Sequence, residues 1–217
     1  MRQANNGSHP YTLGCIISLV NACDKYAAVG GSDSAEGTDS APFRTAQRLV
    51  DSLKPGQTGC LRSGTYTEAD DTLTISGGGS FGRRVVIRSA PGERTTFLGR
   101  VYITEAGDYV TLRNLVLDGS YGPKCASGET CSVLPSPTVN GDHAHLIGND
   151  ISNRRAGWEA TLAGSCINVG DSEVKVKETL IENNRIHDCG RIPSSNHDQG
   201  IYLTSSWLPT QAHKALV

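Results

Sequence analysis

The sequence predicts an all-β fold, a right-handed parallel β-helix in which one chain winds into stacked coils, with a short capping α-helix near the N-terminus. Asn114, Asn149 and Asn184 are each separated by 35 residues. The residues two places further on are all apolar: Val116, Ile151 and Ile186. Self-similarity at a fixed period of this length indicates stacked supersecondary units.

The repeat indicates strands rather than helices. The runs 110–112, 145–147 and 179–181 are short and rich in aliphatic and β-branched residues. A second set of short runs lies between the asparagines, at 138–142, 166–171 and 200–204. Each coil should therefore contain three strands, an Asn turn and a long loop, and coils should stack about 4.8 Å apart. We expect the equivalent asparagines to form a ladder of side-chain amide hydrogen bonds.

The composition favours one extended, turn-dense domain. The 217 residues include 25 glycines and only 6% aromatic residues. The net charge of −2 leaves no basic stripe, which argues against nucleic acid as a partner. No run approaches the roughly 18 apolar residues of a transmembrane helix, so we expect no transmembrane segment.

Residues 1–22 are predicted to be a signal peptide. The apolar stretch 13–20 is followed by Asn21 and Ala22, and cleavage after Ala22 would release a secreted protein. Cys23 would then begin the mature chain, which leaves a lipoprotein as the minor alternative.

The seven cysteines also favour an oxidising, extracellular location. Three disulfides are plausible: Cys23–Cys60, Cys125–Cys131 and Cys166–Cys189. Removal of the signal peptide would eliminate Cys15, the odd cysteine. Zinc is the competing interpretation, although no CxxC pair is present. The sequence alone does not fix the pairing.

Residues 23–68 are predicted to form an N-terminal cap and the first coil. One helical face collects the apolar residues Ala46, Leu49, Val50 and Leu53, and the helix should end at Lys54-Pro-Gly. Such a helix can cover the open end of a strand array, which otherwise invites association. Residues 69–205 would then hold the remaining coils.

Three segments carry a family resemblance: 31–66, with its Gly-Ser-Asp start and its Cys60-Leu-Arg-Ser-Gly-Thr-Tyr66 end, 183–188 and 196–203. They resemble right-handed parallel β-helix repeat proteins of the pectate-lyase-like superfamily, which are mostly secreted. The resemblance covers residues 24 to about 205. It implies the fold and a polysaccharide substrate or ligand, but this superfamily includes lyases, hydrolases, epimerases and adhesins, so it leaves the reaction open.

In the enzymes of that superfamily the substrate groove runs along one sheet. The corresponding strands here fall within 138–140, 166–169 and 200–203. Residues on or beside them are the candidate substrate-binding groups: Asn140, His143, Asn168, Asn196 and Tyr202. The candidate catalytic residues are His197, Asp198 and Arg155, and Asp142 and Asp171 are candidate ligands of Ca²⁺.

Several chemistries remain open for these residues. Cleavage of a uronate polymer by β-elimination needs a base near C5 and a cation that neutralises the carboxylate. Hydrolysis instead needs two suitably spaced carboxylates, for which Asp142 and Asp171 are candidates. The structural alternative is that Asp and Asn after a strand are turn formers. A non-enzymatic, carbohydrate-binding surface protein is the functional alternative.

The repeat pattern ends near residue 204, after about four coils. Residues 206–217 show neither an Asn turn nor an amphipathic cap. Because repeat arrays need terminal caps, we expect the chain to be the N-terminal part of a longer protein. An inactive truncated fragment is the alternative.

Overall fold

The computed structural model describes residues 22–121, 134–153, 164–171, 173–190 and 199–204. These residues form three sheets, one α-helix, α1, at Ala46–Ser52, and one short 3-10 helix at Gly119–Tyr121. Sheet 1 contains β1 (Lys25–Ala27), β2 (Thr58–Leu61), β5 (Val85–Ser89), β8 (Val110–Arg113), β11 (His145–Ile147) and β14 (Leu180–Glu182). Sheet 2 contains β3 (Gly64–Tyr66), β6 (Thr95–Leu98), β9 (Val116–Asp118), β12 (Asp150–Ser152) and β15 (Arg185–His187). Sheet 3 contains β4 (Thr72–Ile75), β7 (Arg100–Ile103), β10 (Thr138–Val139), β13 (Ile167–Val169) and β16 (Ile201–Leu203).

The chain visits sheets 1, 2 and 3 in turn, and each visit adds one strand to each sheet. Every strand pairs in parallel with its counterpart in the next coil. The described strands β2 to β16 thus make five coils, and the predicted right-handed parallel β-helix is confirmed. The first coil continues past residue 68, because β4 is its third strand.

The core is a set of columns of apolar side chains inside the coils. In sheet 1, one column consists of Ile87, Leu112, Leu146 and Ile181, which are register partners and almost fully buried. Alternate residues of each strand point outward, so a register slip of one residue would turn a whole column to solvent. The buried columns therefore fix the register of the coils.

This register corrects the predicted ladder of three equivalent asparagines. Leu112 pairs with Leu146, 34 residues later, whereas Leu146 pairs with Ile181, 35 residues later. Asn114 is therefore the counterpart of Gly148 and Asn183, and all three have positive φ angles of 54°, 65° and 55°. The prediction was wrong by one residue because side-chain burial, not the Asn interval, sets the alignment. Likewise Leu117, not Val116, is the inward partner of Ile151.

A shorter ladder joins Asn149 to Asn184. The Asn149 side chain donates to Asn184 Oδ1 at 3.0 Å and to the carbonyl oxygen of Leu112 at 3.0 Å, and its Oδ1 accepts from the backbone N–H of Leu115 at 3.0 Å. Asn149 is only 2% exposed. Its amide thus satisfies backbone groups at a turn where the strands no longer pair.

The predicted N-terminal helix is confirmed. Thr45 is the N-cap residue, and its hydroxyl accepts from the backbone N–H of Arg48 at 3.1 Å. Ala46, Leu49 and Val50 are buried against the first coil. The helix therefore covers the start of the core.

Two predicted disulfides are present, Cys23–Cys60 and Cys166–Cys189. The predicted signal peptide (except Ala22), Cys15, Cys125, Cys131 and the tail 206–217 lie outside the described residues. Within the described part of the chain, no helix has the length and apolar character needed to cross a membrane.

Candidate functional site on the outer face of sheet 3

The strands predicted to carry the substrate do form one sheet, sheet 3. Its outward-facing residues stack in one column because they are register partners from coil to coil: Thr74, Tyr102, Thr138, Asn168 and Tyr202. The inward neighbours Ile75, Ile103 and Val139 are buried. The column ends in an exposed aromatic ring, because Tyr202 is 42% exposed. Asn168 and Tyr202, two predicted substrate-binding residues, are thus adjacent on this face.

Arg100 begins β7 and is the main cation on this face. Its guanidinium lies 4.5 Å from the centre of the Tyr102 ring, and its Nη2 donates to Thr138 Oγ1 at 3.1 Å. Its Nε is buried and has no hydrogen-bond partner among the described residues. Burial lowers the pKa of Arg100, and Tyr102 opposes this effect. A partly desolvated guanidinium of this kind is suited to bind a carboxylate through its terminal nitrogens, whereas the buried Nε cannot reach a ligand.

Asn140 follows β10 and lies beside this arginine–tyrosine pair. It is 7% exposed, and its Nδ2 is 3.5 Å from the Tyr102 hydroxyl and 3.4 Å from Asp171 Oδ2. The Asn140 Oδ1 atom has no partner among the described residues. Asn140 is therefore a buried amide that links Tyr102 to Asp171 beneath the rim of the face.

Asp171 acts as a turn former at the edge of sheet 3. Its Oδ1 accepts from the backbone N–H groups of Val174 at 2.7 Å and Glu173 at 2.8 Å. These two hydrogen bonds are the main reason that the pKa of Asp171 is lowered. Asp171 therefore stays ionised beside Asn140 and contributes negative charge to the rim of the face.

Asp142 lies on the turn that leads from sheet 3 to sheet 1. Its Oδ1 accepts from the backbone N–H of Lys177 at 2.8 Å, and its own N–H donates to Asp108 Oδ1 at 2.7 Å. Its Oδ2 is 3.6 Å from Lys177 Nζ. Each aspartate in this column thus binds the backbone of the coil above it.

His143 belongs to a second column on the same turn. Its ring stacks on Tyr109 with 4.3 Å between centroids, and its Nδ1 is 3.0 Å from Glu178 Oε2. Arg84 donates to the carbonyl oxygen of His143 and lies over the Tyr109 ring. Tyr109, His143 and Glu178 all have positive φ angles. The structure therefore uses His143 to tie successive coils together.

The described residues do not complete a calcium site. Asp142 is paired with Lys177, and the group that Asn140 turns toward Asp171 Oδ2 is its Nδ2 donor, at 3.4 Å, not its oxygen. Calcium takes six to eight oxygen ligands. Among the residues the structure describes, no three His, Cys, Asp or Glu side chains are grouped as metal ligands.

Four predicted site residues lie outside the described residues: Arg155, Asn196, His197 and Asp198. In the sequence they belong to the connections from β12 to β13 and from β15 to β16. Their catalytic and substrate-binding roles stay predictions.

The structure shows a second polar cluster, on the outer face of sheet 2, which the sequence analysis did not identify. His187 Nε2 is 2.6 Å from Asp150 Oδ1, and His187 Nδ1 is 2.8 Å from Asp188 Oδ2. Arg94 and Arg185 also approach the Asp150 carboxylate, at 3.1 and 3.4 Å. The available signal was the alternation of strand β15, which turns Arg185 and His187 to the same side.

The charges in this cluster shift each other's protonation. The hydrogen bond to Asp188, together with that to Asp150, raises the pKa of His187 despite partial burial. Burial opposes the shift at Asp150, but hydrogen bonds from His187 and Arg94 outweigh it and lower the pKa of that carboxyl. We interpret the cluster as a set of ion pairs that fastens neighbouring coils, because Asp150 of β12 meets His187 and Arg185 of β15 and also Arg94.

We expect His187→Gln to destabilise the protein at acidic pH more than at alkaline pH. The raised pKa means that protonated His187 contributes stability below its unfolded pKa of about 6.5, and this contribution disappears as pH rises through the folded pKa. The effect should be below about 1 kcal/mol, since the cluster is partly exposed. Urea unfolding between about pH 5 and pH 9 measures it.

The control is His145→Gln on sheet 1. Burial, with Arg84 and His143 nearby, lowers the pKa of His145 to about 4. Its contribution to stability should therefore have the opposite sign of pH dependence, lost as the pH falls. A difference between His187→Gln and wild type that stays constant with pH would contradict the assigned ion pairs.

Comparison with known proteins finds two partial sequence matches. It is 34% identical to pectate lyase PEL9 of Emericella nidulans over 87 residues, which are 40% of this chain and 21% of that protein. It is also 34% identical to protein YwoF of Bacillus subtilis over 74 residues, 34% of this chain and 15% of YwoF. The chain therefore matches about a fifth or less of the length of these relatives.

The fold has a counterpart among solved structures. The complex of XylC with xylose matches with a TM-score of 0.51 and 11% identity, covering 82% of this chain and 59% of that one. No protein-family model matches the chain. The match to PEL9 confirms the resemblance to pectate-lyase-like proteins, and the structural match shows a shared fold.

Proposed function

We propose that the protein binds and acts on an acidic extracellular polysaccharide along the outer face of sheet 3. The observation that carries the proposal is Arg100, a partly desolvated guanidinium on the outer face of sheet 3 that stacks on Tyr102. A uronate presents a carboxylate to such a group and a sugar ring to the neighbouring tyrosine. The similarity to a pectate lyase supports the same class of ligand.

The column along sheet 3 supports an extended rather than a compact ligand. Arg100, Asn168 and Tyr202 belong to three different coils. Coils repeat about every 4.8 Å, so the described face spans enough length for a short run of sugar units. Polar side chains near the middle and a tyrosine toward each end suit a chain that alternates polar and apolar contacts.

The enzymatic form of this proposal is β-elimination. Arg155 or His197 would remove the C5 proton, a double bond would form between C4 and C5 as the C4–O glycosidic bond breaks, and Asp198 or water would protonate the leaving oxygen. Calcium dependence remains a prediction, with Asp171 as the better placed of the two predicted ligands. Hydrolysis by paired carboxylates is the other enzymatic possibility. Secretion is supported by the disulfides Cys23–Cys60 and Cys166–Cys189.

The proposal predicts selective binding of de-esterified polygalacturonate. Its fully methyl-esterified form is the control, since it keeps the sugar chain and removes the charge. Calorimetry measures binding, and the ultraviolet absorbance of unsaturated products measures elimination, each with and without added Ca²⁺. Equal affinity for the charged and esterified polymers, or no affinity for either, would contradict the proposal.

Binding without turnover is the second candidate function. It is favoured by the described residues of the face, which supply ligand-binding groups but no paired catalytic carboxylates. Under this alternative the charged polymer binds, no unsaturated product or reducing end accumulates, and alanine at His197 and Asp198 leaves affinity unchanged.

A further inference from the structure

A small arm projects from the solenoid between β4 and β5. It comprises residues 76–84, with the sequence Ser-Gly-Gly-Gly-Ser-Phe-Gly-Arg-Arg. Ser80 and Arg83 exchange two backbone hydrogen bonds, at 3.1 and 2.9 Å, and leave Phe81 and Gly82 at the tip. Phe81 is 90% exposed, more than any other exposed large hydrophobic residue in the described part of the chain.

The arm is held in one position by close backbone packing. The Gly79 N–H donates to the carbonyl oxygen of Asp108 at 2.7 Å. A Cβ atom on Gly78 would lie 2.0 Å from that same oxygen, and one on Gly79 would lie 2.3 Å from the carbonyl oxygen of Arg83. Only glycine fits at these two positions. The fold thus keeps the Phe81 ring in solvent rather than letting it collapse onto the surface.

The charge around the arm is positive. Arg83 and Lys54 are exposed, and Arg83 Nη2 donates to the carbonyl oxygen of Pro55, the residue next to Lys54. The arm contains no acidic residue. The nearby Asp108 carboxylate already accepts the backbone N–H of Asp142. An exposed ring beside basic groups fits an anionic ligand that also has an apolar face.

The arm borders the face that carries the proposed function. It leaves directly from Ile75, the last residue of β4, and Thr74 of β4 is the register partner of Tyr102. Asn140 follows β10 at the same edge of sheet 3. Gln47 of α1 exchanges hydrogen bonds with the Thr74 backbone and so covers the end of the column, whereas the arm flanks the column from the side, where a long chain on sheet 3 can extend to it.

We infer that the arm is an accessory subsite for an acidic polysaccharide, in which Phe81 stacks on the apolar side of a sugar ring and Arg83 and Lys54 meet its carboxylates. This rests on the proposed function, because the same polymer occupies sheet 3. Sugar rings have C–H faces that pack on aromatic rings. Because the arm holds the Phe81 ring in one position, less conformational entropy is lost on binding.

Phe81→Ala should lower the affinity for polygalacturonate about tenfold. This is the loss expected when a phenylalanine contact that becomes buried on binding is removed. Phe81→Trp should retain wild-type affinity, and Lys54→Gln should weaken binding chiefly at low salt. The matched control is Val29→Ala, another exposed apolar side chain outside the arm. Affinity is measured by calorimetry at several salt concentrations. Thermal unfolding should be unchanged in all four variants, since these side chains are exposed.

The ligand length separates this inference from the proposed function. A digalacturonate should bind wild type and Phe81→Ala equally, since it is too short to reach beyond the face of sheet 3. If wild type binds the polymer and Phe81→Ala binds it equally well, the arm is not a subsite and the proposed function stands. If wild type binds no acidic glycan, both are overturned.

Discussion

Replacement of Asn149 by alanine is expected to destabilise the protein by about 2–4 kcal/mol. The substitution removes an acceptor from the backbone N–H of Leu115 and a donor from the carbonyl oxygen of Leu112. It also removes the hydrogen bond to Asn184. The site is buried, so water cannot replace these partners without opening the turn. Denaturant unfolding measures the change as a lower midpoint with an unchanged slope.

Asn114→Gly is the matched control for this prediction. Asn114 shares the interval of 35 residues, yet it occupies an exposed position with a φ angle of 54°. Glycine accepts that conformation without strain, so the substitution should cost less than about 1 kcal/mol. Equal losses in Asn114→Gly and Asn149→Ala would contradict the register and restore the ladder of three equivalent asparagines.

Arg100→Met is expected to weaken binding of acidic oligosaccharides by about ten- to hundredfold. Hydrogen bonds to charged groups contribute about 1.5–3 kcal/mol each, and methionine keeps the bulk of the side chain without the charge. The affinity for a methyl-esterified oligosaccharide should be unchanged. Calorimetric titration of the two ligands gives the ratio directly.

Two further variants make the Arg100 result specific. Arg100→Lys should recover only part of the affinity, because an ammonium keeps the charge but not the planar, bidentate geometry. Arg113→Met makes the same change on the outer face of sheet 1, where the arginine is exposed rather than half-buried. If Arg113→Met reduces affinity as much as Arg100→Met does, net charge rather than the sheet-3 face explains binding.

Much of the fold was predictable because its determinants are local and periodic. Short β-branched runs separated by Asn and Gly turns indicated three strands per coil, and the apolar stripe of α1 indicated the cap. The exact register was not predictable from the asparagines. The register depends on which side chains fill the interior. The interval from Leu112 to Leu146 is 34 residues, one fewer than the interval of 35 between the asparagines.

The site was predictable only in part. The sequence predicted the strands of sheet 3 and two of its outward residues, Asn168 and Tyr202, because strand alternation dictates which side chains face out. Arg100 was not predicted as a site residue, because its stacking on Tyr102 and its partial burial are tertiary properties. The His187 cluster was not predicted either, since Asp150 meets His187 only when consecutive coils stack.

The most direct test of the account is to map an acidic oligosaccharide on the protein by amide chemical-shift perturbation. A trigalacturonate should shift the signals of Tyr102, Asn168 and Tyr202 and leave those of sheet 2 unchanged. The methyl-esterified trisaccharide serves as the control. Shifts centred instead on Asp150 and His187 would contradict the assignment of binding to sheet 3 and would make the outer face of sheet 2 the site.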